Sequence, residues 1–363
     1  MNIDDWVIAF EARRPNQARF TEKLESLVRD LMVAGNLGFH LAESRTKDVQ
    51  SFRDKASRPT KAYENPLDEI TDLSGIRIIA YYQDEADQIG SLIEEEFAVD
   101  ARNSVIHKPD GAEFGYLSRH YVVQLSSKRA MLSEWSGFAE LKAEIQVRTV
   151  LQHAWAAVSH KLQYKREDDV PVPLRRKLFR LSALFELADD EFISLRSSSG
   201  ELARSIKTQL VAGRQDLPID SVSLSEVLVF STAVAEIEIV AKKVGFTYGN
   251  PDGDIEDEDE HSASVSGLVH LCALAGVRTI EEFESLLSTA RPWMESYLSA
   301  QINAEGRWGE WFASTPFICQ LLVIYAKIRQ LRVEDIYSLG WNPGIAERIF
   351  RVARTWRTES PKV

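Results

Sequence analysis

The spacing of apolar residues divides the chain into a helical start, a mixed middle and a helical remainder. Apolar side chains recur every three or four residues between residues 4 and 42, which predicts one long helix, and a second helix is predicted over about 47–56. From Asp72 onward, short β-rich runs are separated by helical spacing. The predicted strands are SGIRIIAYY, YLSRHYVVQL and KAEIQVRT, and the predicted helices are DEADQIGSLIEEEF and TVLQHAWAAVSHKLQYK.

The second half of the chain is predicted to be mainly helical. A helix that starts after the two prolines of EDDVPVP is expected to end at the SSSG of residues 197–200. We therefore divide the chain into domains 1–200 and 201–363. Further on, Thr279 and Glu282 form a predicted capping box, and LGWNPG at 339–344 predicts a turn between two helices. The fold class is α+β: a mixed sheet flanked by helices, followed by a mainly α-helical C-terminal domain.

Composition narrows the class of protein. The 363 residues are 44% hydrophobic and 27% charged, which suits two globular domains. The net charge of −12 includes seven acids between Pro251 and Glu260, a predicted solvated loop, so a basic surface covering the whole protein is excluded while a local basic site is not. Two cysteines make no disulfide framework, and neither a signal peptide nor a membrane-spanning run is recognisable. We expect a cytoplasmic protein with no membrane partner.

Between residues 44 and 55, cationic and hydroxyl side chains are spaced as one stripe of a helix. Lys47, Ser51 and Lys55 stand four residues apart. Two lysines in line with a hydroxyl suit a polyphosphate chain, because charge-assisted bonds to phosphate oxygens are stronger than neutral ones. An ordinary solvated helix face is the alternative from this segment alone.

The segment DLSGIRII, residues 72–79, places charges at the start and inside a strand. Asp72 precedes the strand, Gly75 permits a close backbone approach, and Arg77 interrupts an apolar run where an unpaired charge would be unfavourable. Asp72 could hold a hard cation and Arg77 could lie flat on a base. The alternative is an ion pair between Asp72 and Arg77.

The segment GYLSRHYVV, residues 115–123, alternates polar and apolar positions. Tyr116, Ser118 and His120 share one face of the predicted strand. Aligned after a glycine, they offer a ring that can stack and two hydrogen-bonding groups. An exposed polar sheet face is the alternative.

The fourth polar segment combines a strand with the helix after it. Glu144, Gln146 and Arg148 point to one side of the strand, and apolar residues point to the other. The helix has a predicted apolar stripe of Leu151, Trp155, Val158 and Leu162, and an opposite side of His153, His160 and Tyr164. A zinc site at the two histidines is disfavoured, because their seven-residue spacing is too long for a helical ligand pair.

Asp72 and Glu144 are acids of adjacent strand-like segments beside the predicted lysine stripe. Mg²⁺ is commonly held by one or two carboxylates together with substrate phosphates. Phosphoryl-type transfer needs cations on the phosphates, a metal and groups that fix the base. The sequence therefore predicts a Mg²⁺-dependent nucleotide site with Asp72 and Glu144 as metal ligands.

These segments, in this order, resemble the RelA/SpoT alarmone-synthetase family. The resemblance covers residues 40–165 and rests on four motifs: Arg45-x-Lys47-x3-Ser51-x3-Lys55, DLSGIR, GYLSRH, and EIQVRT with the helix that follows it. It implies a nucleotidyltransferase-like sheet and transfer of the β,γ-pyrophosphoryl group of ATP to the 3′-hydroxyl of GDP or GTP, with release of AMP.

The resemblance also implies roles for individual residues. ATP would be bound by Arg45, Lys47, Ser51, Lys55 and Arg77, with the two arginines at the adenine and the others at the phosphates. The acceptor would be bound by Tyr116, Ser118, His120 and His153, with the tyrosine stacked on the base. Asp72 and Glu144 would ligate Mg²⁺, and Glu144 could instead take the proton of the 3′-hydroxyl. Lys47 is expected to act with these two acids in catalysis.

Departures from the family pattern leave other functions open. No histidine is followed by Asp, so no alarmone hydrolase is expected, and the chain is similar to small alarmone synthetases with an added C-terminal domain. Ser159 replaces an acid that many relatives place near the acceptor base. Toxic relatives that pyrophosphorylate the 3′ end of tRNA, or that make adenosine alarmones, are the second hypothesis.

In that second hypothesis the C-terminal domain restrains the enzyme or binds a protein regulator. A tRNA acceptor stem could follow either of two basic clusters. The first contains Arg53, Lys55, Arg58 and Lys61, and the second contains Arg175, Arg176, Lys177 and Arg180. A catalytically inactive nucleotide sensor is the third hypothesis, and by analogy with small relatives a homo-oligomer is expected.

Overall fold

A computed structural model describes residues 2–58, 63–106, 119–161, 171–214, 216–248, 258–304 and 312–359. The chain forms two compact units, Met1–Arg196 and Ser197–Val363. The helices that begin in the first unit are α1 (Ile3–Ala34), α2 (Val49–Ala56), α3 (Pro66–Glu69), α4 (Gln83–Glu96), α5 (Ser127–Ala130), α6 (Val150–Lys161) and α7 (Val172–Val211), with a 3₁₀ turn at Ser136–Phe138. Its strands are β1 (Leu41–Thr46), β2 (Ser74–Ala80), β3 (Phe97–Val99), β4 (Val105–Ile106), β5 (Arg119–Leu125) and β6 (Ala143–Thr149).

The strands of the first unit form one mixed sheet in the order β1-β2-β6-β5-β3, and β4 also pairs with β5. Strands β2 and β6 are parallel, and the other pairs are antiparallel. One face of the sheet is apolar and packs against α1 and α4, which bury Phe20, Leu24 and Ile89. The predicted mixed sheet flanked by helices is confirmed, and α4, β2, β5 and β6 lie where the hydrophobic pattern predicted them.

The predicted helix 4–42 is too long at its C-terminal end. Helix α1 ends at Ala34, and Asn36 follows in a left-handed conformation with φ 51°. The chain then enters β1, which pairs along its whole length with β2. Hydrogen bonding to a distant strand has overridden the local helical spacing.

Helix α7 does not end at residues 197–200 as predicted. It continues through the serines and Gly200 to Val211, and the turn that ends it contains Gly213 at φ 83°. Serine and glycine weaken a helix interior by at most about 1 kcal/mol each. Burial of Ile206 in an apolar core favours continuation of the helix.

The second unit is built mainly from helices. They are α8 (Ser221–Phe230), α9 (Thr232–Val244), α10 (Glu258–Leu274), α11 (Ile280–Ala290), α12 (Met294–Asn303), α13 (Thr315–Ala326), α14 (Val333–Tyr337) and α15 (Pro343–Glu359), with two short strands, β7 (Thr247–Tyr248) and β8 (Phe312–Ala313). Helix α13 lies at the centre, with Ile318, Leu321 and Ile324 fully buried.

Two local predictions for the second unit are confirmed. Thr279 and Glu282 cap the start of α11 reciprocally. The turn before α15 contains Gly340 at φ 83°. Among the residues that the structure describes, no helix combines the length and the apolar character that crossing a membrane requires.

Two glycines in helices allow a stability test of the packing between α4 and the sheet. Alanine is normally about 1 kcal/mol better than glycine in a helix interior. At Gly90 of α4, however, an added methyl group would overlap the hydroxyl of buried Tyr121. We expect Gly90→Ala to lower the midpoint of thermal unfolding, because overpacking of a core costs about 1–3 kcal/mol.

The matched control is Gly200→Ala in α7, where no described atom lies within 4 Å of the new methyl group. It should raise the midpoint slightly. A Gly90→Ala protein as stable as the control would contradict the packing of Tyr121 beneath α4.

Candidate active site

A row of polar side chains crosses the face of the sheet that is turned away from α1 and α4. Glu43 of β1 lies opposite Arg77 of β2, Arg77 opposite Gln146 of β6, and Gln146 opposite His120 of β5. The pleat of β6 buries Ala143, Ile145 and Val147 on the other face. Four strands therefore present one continuous polar surface.

A second row, two residues away along each strand, contains a gap. Arg45, Gly75 and Glu144 lie side by side on β1, β2 and β6. A Cβ at Gly75 would meet only the carbonyl oxygen of Arg45, at 3.6 Å, so the predicted close backbone approach is not sterically enforced. The missing side chain instead leaves room between Arg45 and Glu144.

Asp72, directly before β2, is bound by two lysines. Its Oδ2 accepts from Nζ of Lys47 at 2.9 Å, and its Oδ1 lies 2.9 Å from Nζ of Lys55. Burial alone would raise the pKa of Asp72, but the hydrogen bonds from the two lysines outweigh it and hold this pKa below its usual range. The carboxylate is therefore ionised at neutral pH, and the cluster carries two positive charges and one negative charge.

The elements that bring the lysines together differ from the prediction. Lys47 is not on a helix: it follows β1, and its backbone N–H donates to the carbonyl of Leu73 at 2.9 Å. Lys55 lies in the last turn of α2, which packs on α1 through stacked rings of Phe52 and Phe10, 4.3 Å apart. The prediction that the lysines share one helical stripe was wrong, because residues 41–46 form strand β1 and Lys47 lies before α2 begins. The two lysines converge nonetheless.

The alternative pairing of Asp72 with Arg77 is also wrong. Arg77 donates to Oε1 of Glu43 at 2.7 Å, across the β1–β2 pair. Arg45 is exposed and forms no ion pair with a residue that the structure describes. It is a diagonal neighbour of Arg77 on the same sheet face, so both arginines border the same open surface.

Glu144 is held by its neighbours on the polar face. Its Oε1 accepts from Nδ1 of His120 at 2.6 Å and from the amide of Gln146 at 2.9 Å. Arg148 lies 3.4 Å from Nε2 of the same histidine. Burial opposes ionisation of Glu144, but the bonds from His120 and Gln146 prevail and lower its pKa, while the charge of Asp72 acts in the opposite direction. The two acids are thus close enough to influence each other, and both are ionised.

Ser51 has a structural role in this conformation. Its hydroxyl donates to Oδ2 of Asp48 at 2.7 Å, and its backbone N–H donates to Oδ1 at 2.8 Å. Asp48 is thereby the N-cap of α2. To donate its hydroxyl to a phosphate, as predicted, Ser51 would first have to break this bond to Asp48.

Helix α6 carries His153 toward the polar surface. Burial lowers the pKa of His153, and the charges of Arg77 and Arg148 lower it further. Its Nδ1 is buried and has no hydrogen-bond partner among the described residues. The predicted apolar stripe of α6 is wrong at Val158, which is 54% exposed, whereas Gln152 is buried.

Several predicted site residues lie outside the described part of the chain. Tyr116 and Ser118 belong to residues 107–118, and Tyr164 belongs to residues 162–170, which the structure does not describe. The side chains of Ser159 and His160 are likewise not described.

A buried polar network behind the site was missed by the sequence analysis. Thr149 and Gln152 form a capping box at the start of α6: the threonine N–H donates to Oε1 of the glutamine at 3.0 Å, and the glutamine N–H donates to the threonine hydroxyl at 3.1 Å. That hydroxyl donates to Oδ2 of Asp189 at 2.9 Å. The spacing Thr-x-x-Gln was a signal for the cap. Nothing in the sequence indicated Asp189, which lies 40 residues from Thr149.

The carboxylates fit a magnesium site on three observations. The pKa values of Asp72 and Glu144 are both held below their usual ranges, and the charge of Asp72 acts on Glu144. No described residue donates a hydrogen bond to Oε2 of Glu144. Gly75 leaves space beside Glu144 that a side chain would fill. Oxygen donors of this kind are those that Mg²⁺ prefers.

The first of the two predicted basic clusters is partly neutralised. Arg53 donates to Asp4 at 2.6 Å, and Lys55 is engaged by Asp72. Lys61 lies outside the described residues, as does the side chain of Arg175 in the second cluster. The first cluster therefore offers less positive charge for binding a tRNA along α2.

Comparison with known proteins places these residues in a family. Residues 44–169 match the model of the region found in RelA / SpoT proteins. The GTP pyrophosphokinase YjbM of Bacillus subtilis (strain 168) is 31% identical over 164 residues, which cover 43% of this chain and 72% of that protein. The GTP pyrophosphokinase YwaC of the same organism is 25% identical over 171 residues, or 46% and 77% of the two chains.

Two solved structures are also similar to part of this chain. The crystal structure of small alarmone synthetase 1 from Bacillus subtilis is 24% identical, with a TM-score of 0.43, and the match covers 53% of this chain and 98% of that one. The same enzyme bound to its product pppGpp is 23% identical, with a TM-score of 0.44 and coverages of 52% and 97%. On the sequence match to YjbM and the shared RelA/SpoT region, this chain belongs to the RelA/SpoT family.

Proposed function

We propose that this chain is a Mg²⁺-dependent ATP pyrophosphokinase that transfers the β,γ-pyrophosphoryl group of ATP to the 3′-hydroxyl of GDP or GTP and releases AMP. The observation that carries the proposal is the cluster of Asp72 with Lys47 and Lys55 beside Glu144, on the open face of the sheet. The GTP pyrophosphokinase activity named for YjbM and YwaC supports it.

The donor side of the site consists of cations. Lys47 and Lys55 already lie within 2.9 Å of a carboxylate, so each can exchange an Asp72 oxygen for a phosphate oxygen with a small movement. Lys47 is 94% buried, which lowers the local dielectric and strengthens its attraction for phosphate. Arg45 and Arg77 border the same surface and suit the adenine as flat cations.

Asp72 and Glu144 would hold Mg²⁺, which would help to neutralise the charge that develops on the transferred phosphates. The chain's own residues align the reactants. Phosphoryl transfer of this type depends on positioning and charge stabilisation more than on a strong base. A carboxylate with a lowered pKa, such as Glu144, fits that requirement because it stays ionised; in the alternative in which it does not ligate the metal, its Oε2 would accept the 3′-hydroxyl proton.

The acceptor side is proposed to begin at His120. Its Nδ1–H is engaged by Glu144, which leaves Nε2 as the acceptor for Arg148. Since Nε2 is then an acceptor, the guanidinium of Arg148 would donate to the acceptor phosphates, with His120 holding it in place. Tyr116 and Ser118 would complete this side, and His153 borders both sides, since Arg77 and Arg148 act on it. We also expect no alarmone hydrolase activity, because no histidine is followed by Asp.

The acceptor is tested directly with labelled donor. Purified protein is incubated with γ-labelled ATP and Mg²⁺ and, separately, with GDP, GTP, ATP and deacylated tRNA. We expect label on GDP or GTP, together with AMP in equal amount. Label transferred to tRNA alone, or found in an adenosine alarmone alone, would replace this proposal with the second hypothesis. Binding of ATP without transfer to any acceptor would replace it with an inactive sensor.

Removing either charge of the carboxylate pair should abolish transfer. We expect Asp72→Asn and Glu144→Gln each to reduce kcat at least about 100-fold, the order lost with one group that stabilises transition-state charge. The matched control is Asp54→Asn on α2, an exposed carboxylate that binds Gln50 and faces no site residue named above. Circular dichroism should show all three variants folded. Transfer by either site variant at the rate of the control would refute the assignment.

Tyr116→Ala tests the acceptor base. Stacking of a base on an aromatic ring is worth about 1–3 kcal/mol, so KM for the acceptor should rise about fivefold or more while KM for ATP stays within twofold. Tyr116→Phe should behave like the wild type, since the ring is retained. An unchanged acceptor KM in the alanine variant would remove the tyrosine from the base site.

A further inference from the structure

Asp189 is a buried acid that the proposed reaction does not use. Its side chain is 6% exposed and lies on α7, and its Oδ2 accepts from the hydroxyl of Thr149. Its Oδ1 is buried without a hydrogen-bond partner among the described residues. A buried carboxylate with one oxygen unpaired is unfavourable for stability, so its presence calls for another explanation.

The same face of α7 makes two more contacts within the first unit. The ring of Phe185 packs against Trp155 of α6 at 6.0 Å. Arg196 lies 4.2 Å above the ring of Tyr82 and binds Glu85 at 3.4 Å, at the start of α4. Asp189 stands between these contacts, one turn after the first and two turns before the second.

Thr149, the partner of Asp189, is the last residue of β6 and the cap of α6. Its hydroxyl accepts the N–H of Gln152 while it donates to Asp189, so both of its hydrogen-bonding roles are fixed. The Gln152 amide in turn donates to Gln83 of α4 at 2.7 Å. Arg148 precedes Thr149 directly, and His153 follows one turn later. Any shift of this cap would move both site residues.

We propose that Asp189 is a positioning residue that acts through the Thr149 hydroxyl to fix the start of α6, and thereby the placement of His153 and Arg148 at the nucleotide site. The proposal rests on the proposed function for the identity of the nucleotides. It does not require Asp189 to touch a substrate. Asp72 and Glu144 are outside the network, so the chemistry should persist when the network is broken.

The charge of Asp189 supports this interpretation. Burial and the neighbouring charge of Asp190 together raise its pKa to about 6, although the hydrogen bond from Thr149 acts in the opposite direction. A pKa above the usual value means that the protonated form stabilises the fold. This stabilisation is complete below the usual pKa and is lost as the pH rises through about 6. At neutral pH the protein therefore carries a destabilising charge at a position where a neutral residue would be more stable.

The test is a double-mutant cycle on Asp189→Ala and Thr149→Val. For each single variant we expect KM for GDP or GTP, and Kd for GDP measured by calorimetry, to rise about fivefold to tenfold, the size of one ordinary lost hydrogen bond. We expect kcat to change less than twofold. The double variant should be no worse than Thr149→Val alone, because that change already breaks the link to Asp189 together with the cap on Gln152.

Two further variants separate positioning from charge. Asp189→Asn keeps an acceptor for the Thr149 hydroxyl, so it should retain wild-type Kd for GDP. It should also unfold at a higher temperature than the wild type at pH 7.5, and this difference should shrink as the pH falls below about 6. Asp190→Asn, an exposed carboxylate on the same helix, is the control and should leave Kd unchanged.

The outcomes are distinguishable. If the variants lose thermal stability while KM and Kd of the folded protein stay at wild-type values, or if the two single effects add, the positioning role is refuted. Thr149→Val is nearly isosteric and keeps the test valid if Asp189→Ala does not fold. If the wild type transfers label to no acceptor, the proposed function fails, but the GDP Kd values still decide on Asp189.

Discussion

The ion cluster at Asp72 is the interaction on which the arrangement of the site depends. One carboxylate at the start of β2 binds a lysine that follows β1 and a lysine at the end of α2. Without it, two ammonium groups would repel each other in a half-buried place. With it, β1, α2 and β2 are held around a centre that keeps one excess positive charge. A polyphosphate can relieve that excess by taking over part of the carboxylate's role.

Sheet register turns this cluster into a site with two sides. Parallel pairing sets Gly75 beside Glu144, so the acid of β6 lies next to the strand that begins after Asp72. A slip of one residue would send Glu144 into the core among α1 and α4 and bring Ile145 to the surface. The apolar residues that alternate with the polar ones therefore fix the site as firmly as the polar residues themselves.

The sequence could predict what depends on local periodicity and could not predict what depends on distant partners. The alternation around Glu144 and the cap at Thr279 were correct because each is a property of a few neighbouring residues. Lys47 was assigned to a helix because its spacing to Lys55 is helical, but pairing of β1 with β2 places it before α2. The partner of Asp189 lies 40 residues away, and no local pattern records such a contact.

The distribution of charge favours a small polyphosphate over a long nucleic acid. The chain as a whole carries −12, and seven acids lie between residues 251 and 260. Cations of the site, in contrast, are concentrated in one segment beside the sheet, where Arg45, Lys47 and Lys55 occur within eleven residues. A nucleotide would meet only this local field, whereas a tRNA would also meet the acidic remainder. Arg53, which could have extended the basic surface along α2, is already paired with Asp4.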